Sequence, residues 1–107
     1  MVTLSIWLYG KLLGSGLLLE GTWKSTDSEI KTDGKTAEIF SGGAAESAVL
    51  NILSYEDDML SGGRVVYHCE LCFEHRVQSV TIIYENHSGV KLMEVVIDGK
   101  SEIFLFE

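Results

Sequence analysis

Two histidines and two cysteines lie close together at His68, Cys69, Cys72 and His75. Those residue types suit a Cys₂His₂ zinc site. The segment that carries them alternates in polarity. Val65, Tyr67, Cys69, Leu71 and Phe73 fall on one side; His68, Glu70, Cys72 and Glu74 fall on the other. Alternation with period two predicts a half-buried strand over 64–74. On a strand, residues three apart point to opposite faces, so Cys69 and Cys72 cannot grip one ion or each other. Structural zinc sites also put their Cys-x-x-Cys pair on a tight turn. Here the intervening residues are Glu70 and Leu71, and His87 stands apart. The expectation is no metal.

The polar side of that strand could support thiol or acid–base chemistry, since a nearby imidazole or carboxylate tunes a thiol. His68 and Cys72 are four residues apart on a strand, however, roughly 13 Å at the usual rise. They cannot share a proton, and the side reads as solvated. The glycines at Gly14-Ser15-Gly16 lack the third glycine of a dinucleotide loop, and no Gly-Lys-Ser/Thr follows. No cofactor is expected.

Glu56, Asp57 and Asp58 form a run of acids. It falls where a helix over 44–55 should end, and negative charge there opposes the helix dipole. Local stability does not explain the run, so it becomes a candidate contact for a partner, together with Glu70 and Glu74.

The chain has 107 residues, 46% hydrophobic and 22% charged, without proline. That is one globular domain, residues 1–107, with a modest core. Sixteen acidic residues against eight basic ones give a net charge of −8. Such a balance argues against direct nucleic-acid or anionic-membrane binding and suits a basic protein partner. Two cysteines make no disulfide framework, and free thiols point to a reducing, cytoplasmic setting. In residues 1–19 the only charge is Lys11, and it interrupts the apolar run. The segment therefore reads as a strand over 2–9, not as a signal peptide or a membrane span.

The elements needed to position these residues follow from periodicity. Strands are expected over 2–9, 17–24, 29–32 and 36–40, the last two joined at Asp33-Gly34, a strong hairpin signal. Ala45, Ala48, Val49, Ile52 and Leu53 recur at helical spacing, so 44–55 reads as the single helix, with Ser41 as its cap. Four strands, over 64–74, 79–85, 90–97 and 101–106, then form an antiparallel meander. The last two are apolar on both faces: Leu92 and Val96 oppose Met93, Val95 and Ile97, while Ile103 and Leu105 oppose Phe104 and Phe106. A second sheet layer or a homodimer would cover the far face. The fold class expected is α+β, an antiparallel sheet in one or two layers with one packed helix, in the order β-hairpins–α–ββββ.

Two short segments resemble known families. Leu19-Glu20-Gly21-Thr22-Trp23-Lys24 is similar to the Gly-x-Trp opening strand of lipocalin-like barrels, although a central helix would leave too few strands for one. Ser41-Gly42-Gly43-Ala44-Ala45-Glu46 resembles the helix opening of hot-dog thioesterases. That likeness would make Glu46 the base or nucleophile beside a glycine amide. The leading expectation is a non-enzymatic acidic module of the inhibitor, immunity or adaptor type. It would bind a basic partner through Glu56, Asp57, Asp58, Glu70 and Glu74. The alternative is a hot-dog-like acyl-thioester hydrolase or ligand-binding domain.

The opposed directions of Cys69 and Cys72 generate a first prediction. Purified protein should carry no stoichiometric zinc by elemental analysis, and its intact mass should match two free thiols. One tightly held equivalent of zinc would refute the strand argument.

Overall fold

The computed structural model describes residues 17–58 and 63–107. A 3-10 turn at Leu17–Leu19 leads into eight strands. They are β1 Gly21–Lys24, β2 Ser28–Thr32, β3 Thr36–Ser41, β4 Ala44–Asp58, β5 Arg64–Cys72, β6 Val77–His87, β7 Val90–Ile97 and β8 Lys100–Phe106. Each strand pairs antiparallel with the next, and β8 returns to β1, closing an up-and-down barrel. The expected strand over 2–9 lies outside the described residues.

The α+β expectation is thereby corrected to an all-β barrel, with no α-helix among the described residues. The error sits at 44–55. Those residues form β4, which pairs with β3 from Thr36↔Val49 to Ser41↔Ala44 and with β5 from Val49↔Cys72 onward. Of the supposed helical stripe, Ala48 is buried and Ile52 half-buried, whereas Ala45, Val49 and Leu53 are exposed. A strand with apolar residues on both faces contains a helix-like stripe by coincidence. Pairing on two sides then overrides the weak helical propensity. Ser41 does not cap anything. It opens a hairpin whose two turn residues, Gly42 and Gly43, have φ of 59° and 80°, the requirement of a type I′ turn.

Elsewhere the pattern and the strands agree. β5 buries Val65, Tyr67, Cys69 and Leu71, and its alternate residues lie on the outer surface. Asp33 closes the β2–β3 turn, its Oδ1 accepting hydrogen bonds from the Lys35 and Thr36 amides at 2.8 and 2.7 Å. The doubly apolar last strands do not need a second layer. Met93, Val95 and Phe104 face the barrel interior, while Ile103 and Leu105 look outward and are 58% and 54% exposed.

Closure rests on few residues. β1 meets β8 only at Trp23↔Phe106 and Lys24↔Leu105, reinforced by the Glu107 amide donating to the Thr22 carbonyl at 2.9 Å. Trp23 is fully buried, edge-on to Phe106 and Tyr84 with ring centroids 5.0 and 6.2 Å away. Its indole Nε1 donates to the Leu19 carbonyl at 2.8 Å, fastening the 3-10 turn across the end of the barrel. The lipocalin-like Gly-x-Trp segment therefore lies on a strand of a complete eight-stranded barrel. The expected helix over 44–55 is instead part of β4, one of those eight strands.

Gly21 is what lets Phe106 approach. Its φ is +137°, and a Cβ there would collide with the Phe106 ring, with Cζ at 3.0 Å. We expect Gly21→Ala to lower unfolding free energy by about 2–4 kcal/mol, combining backbone strain with overpacking. Gly89→Ala, at φ +88° with open space around it, should cost only about 1 kcal/mol. Urea unfolding checks both; equal losses would show that the seam contact does not matter.

Candidate functional site

Strand direction sorts the barrel into two unlike ends. The turns at 33–35 and 88–89 lie at one end, where Leu19 and Trp23, both buried, plug the interior. The turns at 25–27, 42–43, 73–76 and 98–99 surround the other end. There a cavity of about 410 Å³ opens to solvent. Its walls are Ile30, Ile39, Leu71, Val95, Ile97 and Phe104, each placed inward by strand alternation. Ser28, Ser41, Lys100 and Glu102 supply the polar rim.

Beneath the mouth, Ile30, Ile39, Leu71 and Val95 also wall a small apolar space of about 30 Å³, which reaches down to Leu19 and Met93. A void lined almost entirely by hydrocarbon has no polar partners to hold a water. The interior is thus packed at the plugged end and loosens toward the open one. An eight-stranded barrel encloses just enough room for side chains or one small ligand.

Rim geometry is fixed by hydrogen bonds. The Ser28 hydroxyl donates to the Ser41 hydroxyl at 3.2 Å, tying β2 to β3. The Ser25 hydroxyl donates to Glu102 Oε2 while accepting from the Ser28 amide at 3.0 Å. That side chain bridges the β1–β2 turn to β8, just above the last β1–β8 pair.

Sequence-derived candidates fall elsewhere. Glu46 lies on β4 opposite Ile39, not at a helix start. The helix N-terminus that a thioesterase role requires is absent at that position. Arg76 grips the Glu46 carboxylate with two hydrogen bonds, 2.8 and 3.1 Å, and its guanidinium stacks 4.0 Å over Phe73. The hydrogen bonds from Arg76 hold the Glu46 carboxyl below the usual carboxylate range.

The five acids do not converge on one spot. A bulge at Leu53 shifts the β4–β5 register between Ile52↔Cys69 and Ser54↔His68, reversing which side later residues face. Glu56 consequently lies on the outer face, 3.0 Å from His68 Nε2. Asp57, opposite the buried Val65, alternates to the other side, and Asp58 pairs with Arg64 in the ladder. Glu70 shares the outer face with Glu56 but lies four residues up β5 from Glu56's partner Val66, roughly 13 Å. Glu74 is past the end of β5 near the open end, 3.9 Å from His75. With no helix over 44–55, the dipole argument for the acidic run also lapses.

Cys69 is buried inside and Cys72 half-buried on the outer side, both as free thiols. Among the described residues no three His, Cys, Asp or Glu side chains are grouped to hold a metal ion. Also among them, no helix is long and apolar enough to cross a membrane.

Sequence reasoning passed over the rim. One signal was present: Glu102 stands in the same alternating register as Phe104 and Phe106, a charge where an inward residue belongs. The serines gave no comparable sign.

No family model matches the chain, and no curated protein or solved structure does either.

Burial pushes the Cys69 thiol up to about 12. In native protein at pH 8 a maleimide should therefore modify Cys72 alone, with Cys69 reacting only after denaturation. The same shift makes the folded state hold a proton that the unfolded chain gives up. Its stabilising effect is whole below the ordinary thiol pKa of about 8.5. It fades as pH climbs toward 12. Rapid double labelling of native protein would contradict the buried placement.

Proposed function

We propose that the chain is a non-catalytic binding protein for a small amphiphile, whose apolar part lodges in the open end of the barrel. The observation that carries this reading is the single-ended cavity, with about 410 Å³ of space over aliphatic and aromatic walls. Ligand sites commonly occupy about 300–1,000 Å³, mostly apolar with a few placed polar groups. The mouth has that composition: hydrocarbon below, and Ser28, Ser41, Lys100 and Glu102 above.

Binding fits the lining better than catalysis does. It contains no histidine or cysteine, so it offers neither an imidazole base nor a thiolate nucleophile. Glu46, the one carboxylate singled out for such a role, is engaged by Arg76. Association would be driven by removing the ligand's apolar surface from water, about 25 cal/mol per Å². The rim would fix which end faces out.

The test uses N-phenyl-1-naphthylamine, an uncharged fluorophore that brightens in apolar surroundings. It should bind the wild type saturably. Ile39→Trp, which fills the cavity from β3, should weaken binding by at least about tenfold, equivalent to 1.4 kcal/mol. Val95→Phe fills it from β7 and guards against a folding failure in the first variant. No saturable binding, or equal binding by folded variants, would refute the proposal.

A further inference from the structure

We infer, resting on the binding reading above, that the amphiphile's polar end is a protonated amine and that Glu102 receives it. Three ionisable groups line the mouth: Asp98, Lys100 and Glu102. They differ in how firmly they are held. Glu102 lies opposite Val95 in the β7–β8 ladder, which puts its carboxylate on the cavity side. The Ser25 hydroxyl fixes one oxygen, Oε2, and the carboxylate retains capacity for further donors.

Asp98 sits in the β7–β8 turn, where its Oδ1 accepts from Gln78 Nε2 at 3.5 Å. Lys100 opens β8 and is exposed. A lysine ammonium on its long flexible stem can swing into water without disturbing the wall. Glu102 is exposed as well, but the hydrogen bond from Ser25 holds it at the rim, so the anchored charge at the mouth is negative.

Two residues below Glu102 on the same side is the buried ring of Phe104, roughly 7 Å along the strand. An ammonium between them would meet the attracting carboxylate first, with the buried Phe104 ring beyond it to receive the ligand's apolar body. An anionic headgroup at that position would meet Glu102 and Asp98 instead. The wider field points the same way: with a net charge of −8, the protein raises the local concentration of cations and speeds their arrival. An apolar body with one ammonium group satisfies wall, rim and field together.

Three ligands of equal chain length separate the chemistry: 1-octylamine, 1-octanol and octanoate, each displacing N-phenyl-1-naphthylamine at pH 7 and low salt. The expected order of displacement is amine, then alcohol, then carboxylate. The amine should lead the alcohol by about five- to tenfold, as for a charge-assisted contact partly open to water. Glu102→Gln should bring the amine to within about twofold of the alcohol measured on the same variant. Lys100→Gln should preserve or widen the amine's lead. Octanoate equalling the amine, or an amine lead that survives Glu102→Gln, would overturn the inference while binding itself stands. If no ligand displaces the probe, or the probe does not bind, the binding reading fails and the inference falls with it.

Discussion

The edge-on contact of Trp23 with Phe106 holds the two ends of the described chain together, and the barrel exists only while it holds. A sheet must either protect its edges or abolish them, and closure abolishes them. Here each strand pairs with its neighbour in the chain to build the wall, but only β1 against β8 turns the wall into a ring. Trp23 serves that ring twice. Its ring packs edge-on at the seam, and its indole N–H secures the turn that plugs one end. An indole is well suited to both, being large and apolar with a single polar handle.

The asymmetry of the site follows from the same seam. β1 is four residues long and stops at Lys24, so β8 continues toward the open end without a β1 partner. The cavity lining draws on β2, β3, β5, β7 and β8, with no β1 residue. A full-length first strand would occupy that side of the mouth. Shortness on one strand thus leaves space beside another, and the Ser25–Glu102 hydrogen bond is what spans the remaining gap.

Much of the wall is legible in the sequence, and the exceptions have physical causes. The strict alternation from Val65 to Phe73 identified β5 and the opposed directions of its cysteines, because a strand buried on one side leaves a period-two imprint. Asp33-Gly34 likewise marked its hairpin. The segment from Ala44 to Tyr55 misled because Val49 and Leu53 lie outside while Ala48, Leu50 and Ile52 lie at or near the core. A strand apolar on both faces loses its imprint, and short windows then fit a helix equally well. Gly42-Gly43 held the correcting information, being more diagnostic of a I′ hairpin than of a helix start. Of the site, only Glu102 left a mark, as a charge out of register. The acidic run drew attention through a helix dipole that the fold does not contain. Recognising the cavity required knowing that the ring closes, which is not a local property of any stretch of residues.

That ring closure also sets an order on folding. Every pairing from β2 through β8 joins neighbours along the chain and can form by local zippering, at the modest entropic expense of short loops. Trp23 and Phe106, by contrast, stand nearly the full described length apart, and their meeting must wait until the hairpins between them have curled into place. Chains whose decisive contact is the most distant in sequence fold slowly. Until it forms, β8 presents a bare edge bearing Ile103 and Leu105, a ready template for pairing with another copy. The seam that shapes the native mouth is therefore also the place where self-association competes with folding. Lys24 and Glu107, paired across it at 3.0 Å, put charge beside that vulnerable edge.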